Sequence, residues 1–446
     1  MIKCIFVLKK VFLLSMQRIL LQQLIAWKTS PTRKPLIIEG ARQVGKTWLM
    51  QEFGKTAFKQ VAYLNFESSI RLKDVFVTDF DIQRLLAIFE IETNIKIDPT
   101  ITLLIFDEIQ EAPKGLTALK YFYEQAPEYF IIAAGSLLGI SLQQNNSFPV
   151  GKVDFLHLYP MSFIEFLINT NEEKLAQQLI DKNWGVVNSF HEKLVSLLRL
   201  YYFIGGMPEA VASYIDNKDL KTVRSIQQKI LIGYENDFAK HAPNDIVPKI
   251  RLVWQSIIGQ LAKDNRKFIY GQIKKGARAK DFEIAINWLV GAGLLLKVNR
   301  VEKPEMPLSA YADMDAFKLF LLDIGLLNAI GNLDAKILLE KNAILKEYKG
   351  ALTEQFVCQQ LNISNKLYYW LAPNGTAEID FIIQYENNII PIEVKAEENL
   401  KSKSLKLYVE KFLPNTAIRT SMSASRKEAW LTNVPLYAIE GVGSNS

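Results

Sequence analysis

The stretch "LIIEGARQVGKTWLM", residues 36–50, constrains this chain more than any other. An apolar run, Leu36 to Ile38, leads into Gly40-Ala41-Arg42-Gln43-Val44-Gly45-Lys46-Thr47, and helix-forming residues follow from Trp48. Two glycines five apart, then Lys and Thr, between a strand and a helix, form the phosphate-binding loop pattern. The glycines let the backbone curl until successive N–H groups face one phosphate, so Gly40 and Arg42 to Trp48 are the expected nucleotide contacts. Lys46 adds a point charge and the Thr47 hydroxyl is placed to reach Mg²⁺.

A second run, "ITLLIFDEIQEAPK", carries a continuous apolar strand, Ile101 to Phe106, that ends in Asp107 and Glu108. A buried parallel strand delivering acids to its carboxyl edge has this form. Asp107 is expected to hold the Mg²⁺ through water and Glu108 to polarise an attacking water. A third strand, Tyr129 to Ala134, ends in Gly135-Ser136, where Ser136 could sense a terminal phosphate, and Val61 to Ser68 reads as an intervening strand. The order predicts an α/β unit with a doubly wound parallel P-loop sheet and its ligand at the carboxyl edge. ATP and Mg²⁺ are therefore the expected cofactors.

The 446 residues are enough for two to four domains, and 49% hydrophobic with 22% charged residues is an ordinary globular composition. Two cysteines, Cys4 and Cys358, and three scattered histidines argue against disulfides and structural zinc, which fits a reducing cytoplasm. The opening "MIKCIFVLKKVFLLSM" is interrupted by Lys9 and Lys10, and no stretch approaches the roughly 20 uncharged residues of a membrane helix. Residues 1–15 read as an extension or a misplaced start ahead of the amphipathic segment that begins at Met16.

The phosphate loop "GARQVGKT", the acid pair in "FDEIQ", and "AAGSLLGI", "YPMSFIEFL" and "GGMPEAV" together resemble the prokaryotic AAA+ type ATPases related to the signal-transduction ATPases. In that family the nucleotide domain is joined to a C-terminal domain of unknown function with a restriction-endonuclease-like core. The resemblance covers nearly all of residues 16–440. It implies that Ser136 is the sensor polar residue and that Pro208 in "GGMP" contacts nucleotide; on its own chemistry that tetrapeptide is a turn. No arginine finger is assigned: Arg42 lies in the loop, and Arg71, Arg199 and Arg224 are the nearby candidates.

The net charge of +6 is unevenly placed, with a surplus at Lys263, Arg266, Lys267, Lys274, Lys275, Arg278 and Lys280 against Asp264 alone. Ala279 to Val290 has apolar residues at helical spacing (Phe282, Ile286, Leu289), and "AGLLLKVNRV" then alternates like a strand. A helix followed by such a wing predicts a winged helix, with Arg278 and Lys280 near phosphates of DNA. The competing reading is a packing or regulatory module with a solvated lysine face.

In the last hundred residues, "NNIIPIEVKA" places Glu393 and Lys395 in an otherwise apolar strand, after "AEIDFIIQY" with Asp380 and after the amphipathic helix Gly350 to Leu361 with Glu354. At period 2 Glu393 and Lys395 share a face. This is the order found in the restriction-endonuclease-like fold, where it implies that Glu354, Asp380 and Glu393 hold a divalent cation and Lys395 stabilises the charged transition state. Three readings stay open: a metal-dependent nuclease, a nuclease-like scaffold without turnover, and an ion-pair cluster that fixes register. Lys403 to Phe412 is expected as a helix whose lysines face solvent.

The expected divisions are 1–15, an ATPase core at 16–169, a helical lid and linker at 170–237, a helical and winged-helix region at 238–335, and a small α/β nuclease-like domain at 336–446. The predicted activity is ATP binding with Mg²⁺-dependent hydrolysis, nucleotide state controlling a DNA-binding or nuclease-like C-terminal half. The alternative is a nucleotide-switched signalling protein whose C-terminal domain recruits a partner. Homo-oligomers are compatible with either.

Overall fold

The computed structural model describes residues 16–135, 151–262, 267–339, 346–396 and 401–443. After helix α1 (Leu20–Thr29), strands β1 (Leu36–Glu39), β2 (Gln60–Asn65), β3 (Thr102–Asp107), β4 (Phe130–Ala134) and β5 (Asp154–His157) form a sheet in the order β2-β3-β4-β1-β5. Every neighbouring pair is parallel. All six residues of β3 are buried, as a central parallel strand covered on both faces requires. Strand β5 has no counterpart in the sequence reading: its burial alternates between half-buried and exposed, so its four residues carry little apolar signal.

Helix α2 (Lys46–Ala57) leaves the tip of β1, and α1 packs beside it with Trp27 edge-on to Phe53 and Phe130. On the other face Phe66, Phe76, Phe89, Phe106 and Phe122 are fully buried in a second apolar cluster. Because β4 lies between β1 and β3, the tips carrying the phosphate loop and Asp107 converge on one edge.

A helical region follows: α3 (Phe163–Asn169), α4 (His191–Ile204), α5 (Pro208–Asn217), α6 (Leu220–His241), α7 (Val247–Leu261) and α8 (Ala279–Gly291). In α8, Phe282, Ile286 and Leu289 are buried, matching the spacing that predicted them. Strands β6 (Leu295–Val301) and β7 (Ala312–Leu321) form an antiparallel hairpin after it.

The remaining elements are α9 (Ile324–Ile330), α10 (Lys346–Leu361), β8 (Tyr368–Leu371), β9 (Glu378–Tyr385), β10 (Asn388–Val394), α11 (Lys403–Phe412), β11 (Ile418–Ser421), β12 (Arg426–Lys427) and β13 (Thr432–Pro435). They build an eight-stranded mixed sheet in the order β12-β13-β11-β10-β9-β8-β6-β7. The hairpin β6–β7 joins it through the parallel pair β6–β8, so one sheet spans residues on both sides of the division expected at 335/336.

Helix α10 is not amphipathic as expected, because residues 351–361 are all buried. Its polar side chains serve main-chain groups instead of water. Gln355 takes both Leu321 N and Leu321 O of the edge strand β7, and Gln359 Oε1 accepts from Ile324 N. Among the described residues, no helix is long and apolar enough to cross a membrane.

Candidate functional site

The loop between β1 and α2 has the curled backbone that the glycines were expected to supply. Gly40 stands at φ 146°, and a Cβ there would lie 2.3 Å from Leu158 O, so only glycine fits. Lys46 opens α2 and turns back to donate to Gly40 O and Ala41 O, both at 2.8 Å. Burial pushes its ammonium from 10.5 down to about 8; Glu108 and Asp107 pull it up, and Arg42 lowers it further.

Thr47 Oγ1 donates to Asp107 Oδ2 at 2.8 Å, and Tyr63 OH donates to the same oxygen at 2.7 Å. Burial, with the Asp107 and Glu108 carboxylates adding to it, raises the Tyr63 phenol to about 12, so it stays a donor. Glu108 sits at φ 51°, a left-handed conformation uncommon for a non-glycine residue, and Gln110 Nε2 holds its Oε2 at 2.6 Å. A hydroxyl in the first turn of α2 and a carboxylate at the tip of β3 are a hard-oxygen donor set, so Thr47 and Asp107 fit a Mg²⁺ ion.

Residues remote in sequence complete the surroundings of the loop. Arg18, buried ahead of α1, donates to Val44 O at 3.0 Å, to Tyr159 O at 2.6 Å and to Glu165 Oε1 at 3.0 Å. Glu165 in turn forms the capping box of α3 with Ser162. From α6, Tyr234 OH donates to Arg42 O at 2.8 Å, Asp237 pairs with the Arg42 guanidinium, and Lys240 reaches Glu67 at 2.8 Å. Pro208, the first residue of α5, has its Cγ 3.5 Å from where a Cβ of Gly45 would be. Gly293, just past α8, approaches so closely that a Cβ there would lie 3.2 Å from Ala41 N.

Of the arginine-finger candidates, Arg42 is committed to Asp237, Arg71 pairs with Glu92, and Arg224 donates to Leu333 O over the Phe203 ring. Ser136, Lys263 and Arg266 lie outside the described residues. Lys274, Lys275, Arg278 and Lys280 are exposed around the start of α8, and Lys267 is half-buried.

In the C-terminal sheet the antiparallel register, with Ile392 opposite Phe381, sets Asp380 beside Glu393. Lys395 Nζ lies 2.6 Å from Glu393 Oε1, and Asp380 Oδ2 accepts from Val394 N at 2.7 Å. Burial raises the Glu393 carboxyl above its usual range; Lys395 pulls it back down and Asp380 pushes it further up. Glu354 is placed otherwise: the fully buried Lys318 of β7 lies 3.6 Å from its Oε2 and also pairs with Glu378. Among the described residues, no three His, Cys, Asp or Glu side chains converge as a metal-holding group.

The sequence reading missed Arg18, Tyr63, Tyr234, Asp237 and Gly293. Each acts through a contact across more than forty residues or by backbone approach alone. Only Arg18 left a local trace, as the one charge in an otherwise apolar and amide-rich segment.

Residues 32–167 match the AAA domain family, residues 195–337 a domain of unknown function (DUF8612), and residues 349–438 another domain of unknown function (DUF4143). No curated protein matches the chain. Among solved structures, the Walker-type ATPase of Pyrococcus abyssi is similar at 12% identity, covering 71% of this chain and 96% of that chain, with a TM-score of 0.44. The Orc1 protein of Aeropyrum pernix in complex with DNA is 11% identical over 70% of this chain and 90% of that chain, at a TM-score of 0.29. Cdc6p from Pyrobaculum aerophilum is 12% identical over 72% and 92%, at 0.26. These likenesses are distant. The match of residues 32–167 to the AAA domain family agrees with the parallel five-stranded sheet, the phosphate loop and the Thr47–Asp107 contact, which together have the form of an AAA-type P-loop domain.

Proposed function

We propose that this chain binds ATP at the Gly40 to Trp48 loop, hydrolyses it with Mg²⁺, and uses the nucleotide state to control engagement of DNA by α8 and the C-terminal sheet. The observation that carries the coupling is the approach of Gly293 to Ala41 N, which sets the C-terminal end of α8, the helix that follows the basic cluster, against the phosphate loop. A loop that reshapes around a triphosphate would act on α8 directly.

In this reading Lys46 leaves its two carbonyl partners for phosphate oxygens, and Thr47 with Asp107 holds the Mg²⁺. The ion, when bound, neutralises charge on the β- and γ-phosphate oxygens. Glu108, fixed by Gln110, orients the attacking water. Lys274, Lys275, Arg278 and Lys280 contact the DNA backbone, with α8 and the β6–β7 hairpin acting as a winged helix.

The test is duplex DNA binding followed by anisotropy across a salt series, with ATP, with ADP and with neither. The slope of log K against log salt should be about −0.9 per phosphate contacted, and it should change with nucleotide. Charge reversal of Lys274 and Lys275 should flatten it by about two contacts' worth. A slope that ignores both the nucleotide and the reversal refutes the reading.

A second reading rests on Lys318. An ammonium fully buried between Glu354 and Glu378 supports a C-terminal domain that keeps a polar cluster and binds a partner without cutting. Plasmid incubated with Mg²⁺ or Mn²⁺, with and without ATP, separates the two. Nicking that Asp380→Ala abolishes supports a nuclease; no nicking, or equal nicking by the variant, supports the non-catalytic domain.

A further inference from the structure

Strand β2, the outer strand of the parallel sheet, brings two polar side chains to the acid-tipped end of β3. Its register places Tyr63 beside Ile105 and Asn65 beside Asp107, so at period 2 all four share the sheet face on which α2 packs. Tyr63 is half-buried, and its hydroxyl donates to Asp107 Oδ2 at 2.7 Å, the same oxygen that takes the Thr47 hydroxyl. The other oxygen, Oδ1, accepts from Glu108 N at 3.2 Å. Both oxygens of the carboxylate are thereby held.

The sense of the Tyr63 hydrogen bond is set by the turn that follows β2. Asn65 Oδ1 accepts from Glu67 N at 3.0 Å and from Ser68 N at 2.9 Å, as the side chain of an Asx turn does. Main-chain N–H groups are met only by the amide oxygen, so the Asn65 amide cannot turn over, and its nitrogen donates to the Tyr63 oxygen at 3.2 Å. A phenol has a single proton. With an N–H arriving at its oxygen, Tyr63 gives that proton to Asp107. A turn beyond β2 therefore governs, through Asn65 and Tyr63, how the carboxylate at the tip of β3 is oriented.

We propose that Tyr63 is a positioning residue for the Mg²⁺ ligand Asp107, and that Asn65 fixes the sense of its hydrogen bond. This rests on the reading that the loop binds ATP with Mg²⁺ held by Thr47 and Asp107. Thr47 holds the ion itself in that reading, whereas Tyr63 acts on the carboxylate alone. Partners of this kind around a metal ligand contribute about ten- to a hundredfold in metal affinity. Among the described residues, neither Tyr63 nor Asn65 hydrogen-bonds the phosphate cradle from Gly40 to Lys46, so nucleotide binding without the ion does not depend on them.

The experiment compares dissociation constants for a non-hydrolysable ATP analogue in saturating Mg²⁺ and in EDTA, using the full chain; their ratio is the ion's contribution to holding the nucleotide. Tyr63→Phe keeps the ring and removes the proton. It should lower that ratio about tenfold and leave the EDTA value unchanged. Asn65→Asp keeps an acceptor for Glu67 N and Ser68 N but sets an oxygen where the N–H met Tyr63, which draws the phenol proton away from Asp107. The ratio should fall comparably, although an added carboxylate by itself attracts the cation, and the same substitution should cause no further loss in the Tyr63→Phe background. A ratio retained by either single variant, an Asn65→Asp loss that persists in the Tyr63→Phe background, or equal weakening with and without the ion overturns the proposal. If the unaltered chain binds the analogue under neither condition, the ATP reading falls and this one with it; binding by the unaltered chain with no selective loss in Tyr63→Phe rejects this one alone.

Discussion

Lys46 offers the sharpest test of the nucleotide site, because its ammonium is depressed to about 8 in the free protein. A bound polyphosphate brings negative charge to within contact distance and returns the group to a pKa well above that value. Only the protonated site then binds, and the apparent dissociation constant grows as one plus ten to the power (pH − 8). Between pH 7 and pH 9 that is about a tenfold loss, or about 1.4 kcal/mol. The stability contribution runs the other way. From about 8 to 10.5 the unfolded chain holds more protons at this lysine than the folded one, so stability rises with pH over that window. Lost affinity therefore cannot be ascribed to unfolding at this group. The assay is a titration with a fluorescent ATP analogue from pH 7 to pH 9.5 at constant ionic strength and Mg²⁺. Lys46→Arg, weaker throughout, should be flat because a guanidinium does not titrate there. A flat profile for the unaltered chain would refute the reasoning.

Three further outcomes follow from packing. Arg18→Ala removes the cation from buried Glu165 and a donor from Val44 O; a cost of about 3–5 kcal/mol should appear as a lowered thermal midpoint, with weaker ATP binding in whatever remains folded. Gly205→Ala forces a Cβ into Asp323 at a positive φ and should cost about 2–4 kcal/mol, read by the same thermal scan; an unchanged midpoint would contradict the close approach. Lys318→Met takes the cation from between Glu354 and Glu378 and should destabilise by about 3 kcal/mol, partly recovered in the double variant with Glu354→Gln, as a thermodynamic cycle would measure.

Features that obey local periodicity were legible in advance. The β1 loop, the acid-tipped β3, the buried stripe of α8 and the charged pair at the end of β10 each rest on a pattern within a dozen residues. Strand β5 was not, since an edge strand that buries few side chains has no apolar run to display. Helix α10 misled because Gln355, Gln359 and Gln360 look like a wet face, whereas each answers a main-chain group that only the tertiary structure presents. Asp323 could have been found. A charge in an apolar run drew attention to Glu393 and Lys395, and "FKLFLLDIGLL" shows the same signature for Lys318 and Asp323.

The parallel pair β6–β8 also bears on how the molecule can move. Hydrogen bonds at Asn299, Arg300 and Val301 weld the β6–β7 hairpin to the strands that carry Asp380 and Glu393. The hairpin and the C-terminal strands are then one continuous sheet and not two bodies joined by a linker. Severing the chain near residue 335 would not release a tidy module. It would bare the flank of β8 as an unpaired, apolar edge, the kind of surface on which copies of a protein stack into aggregates.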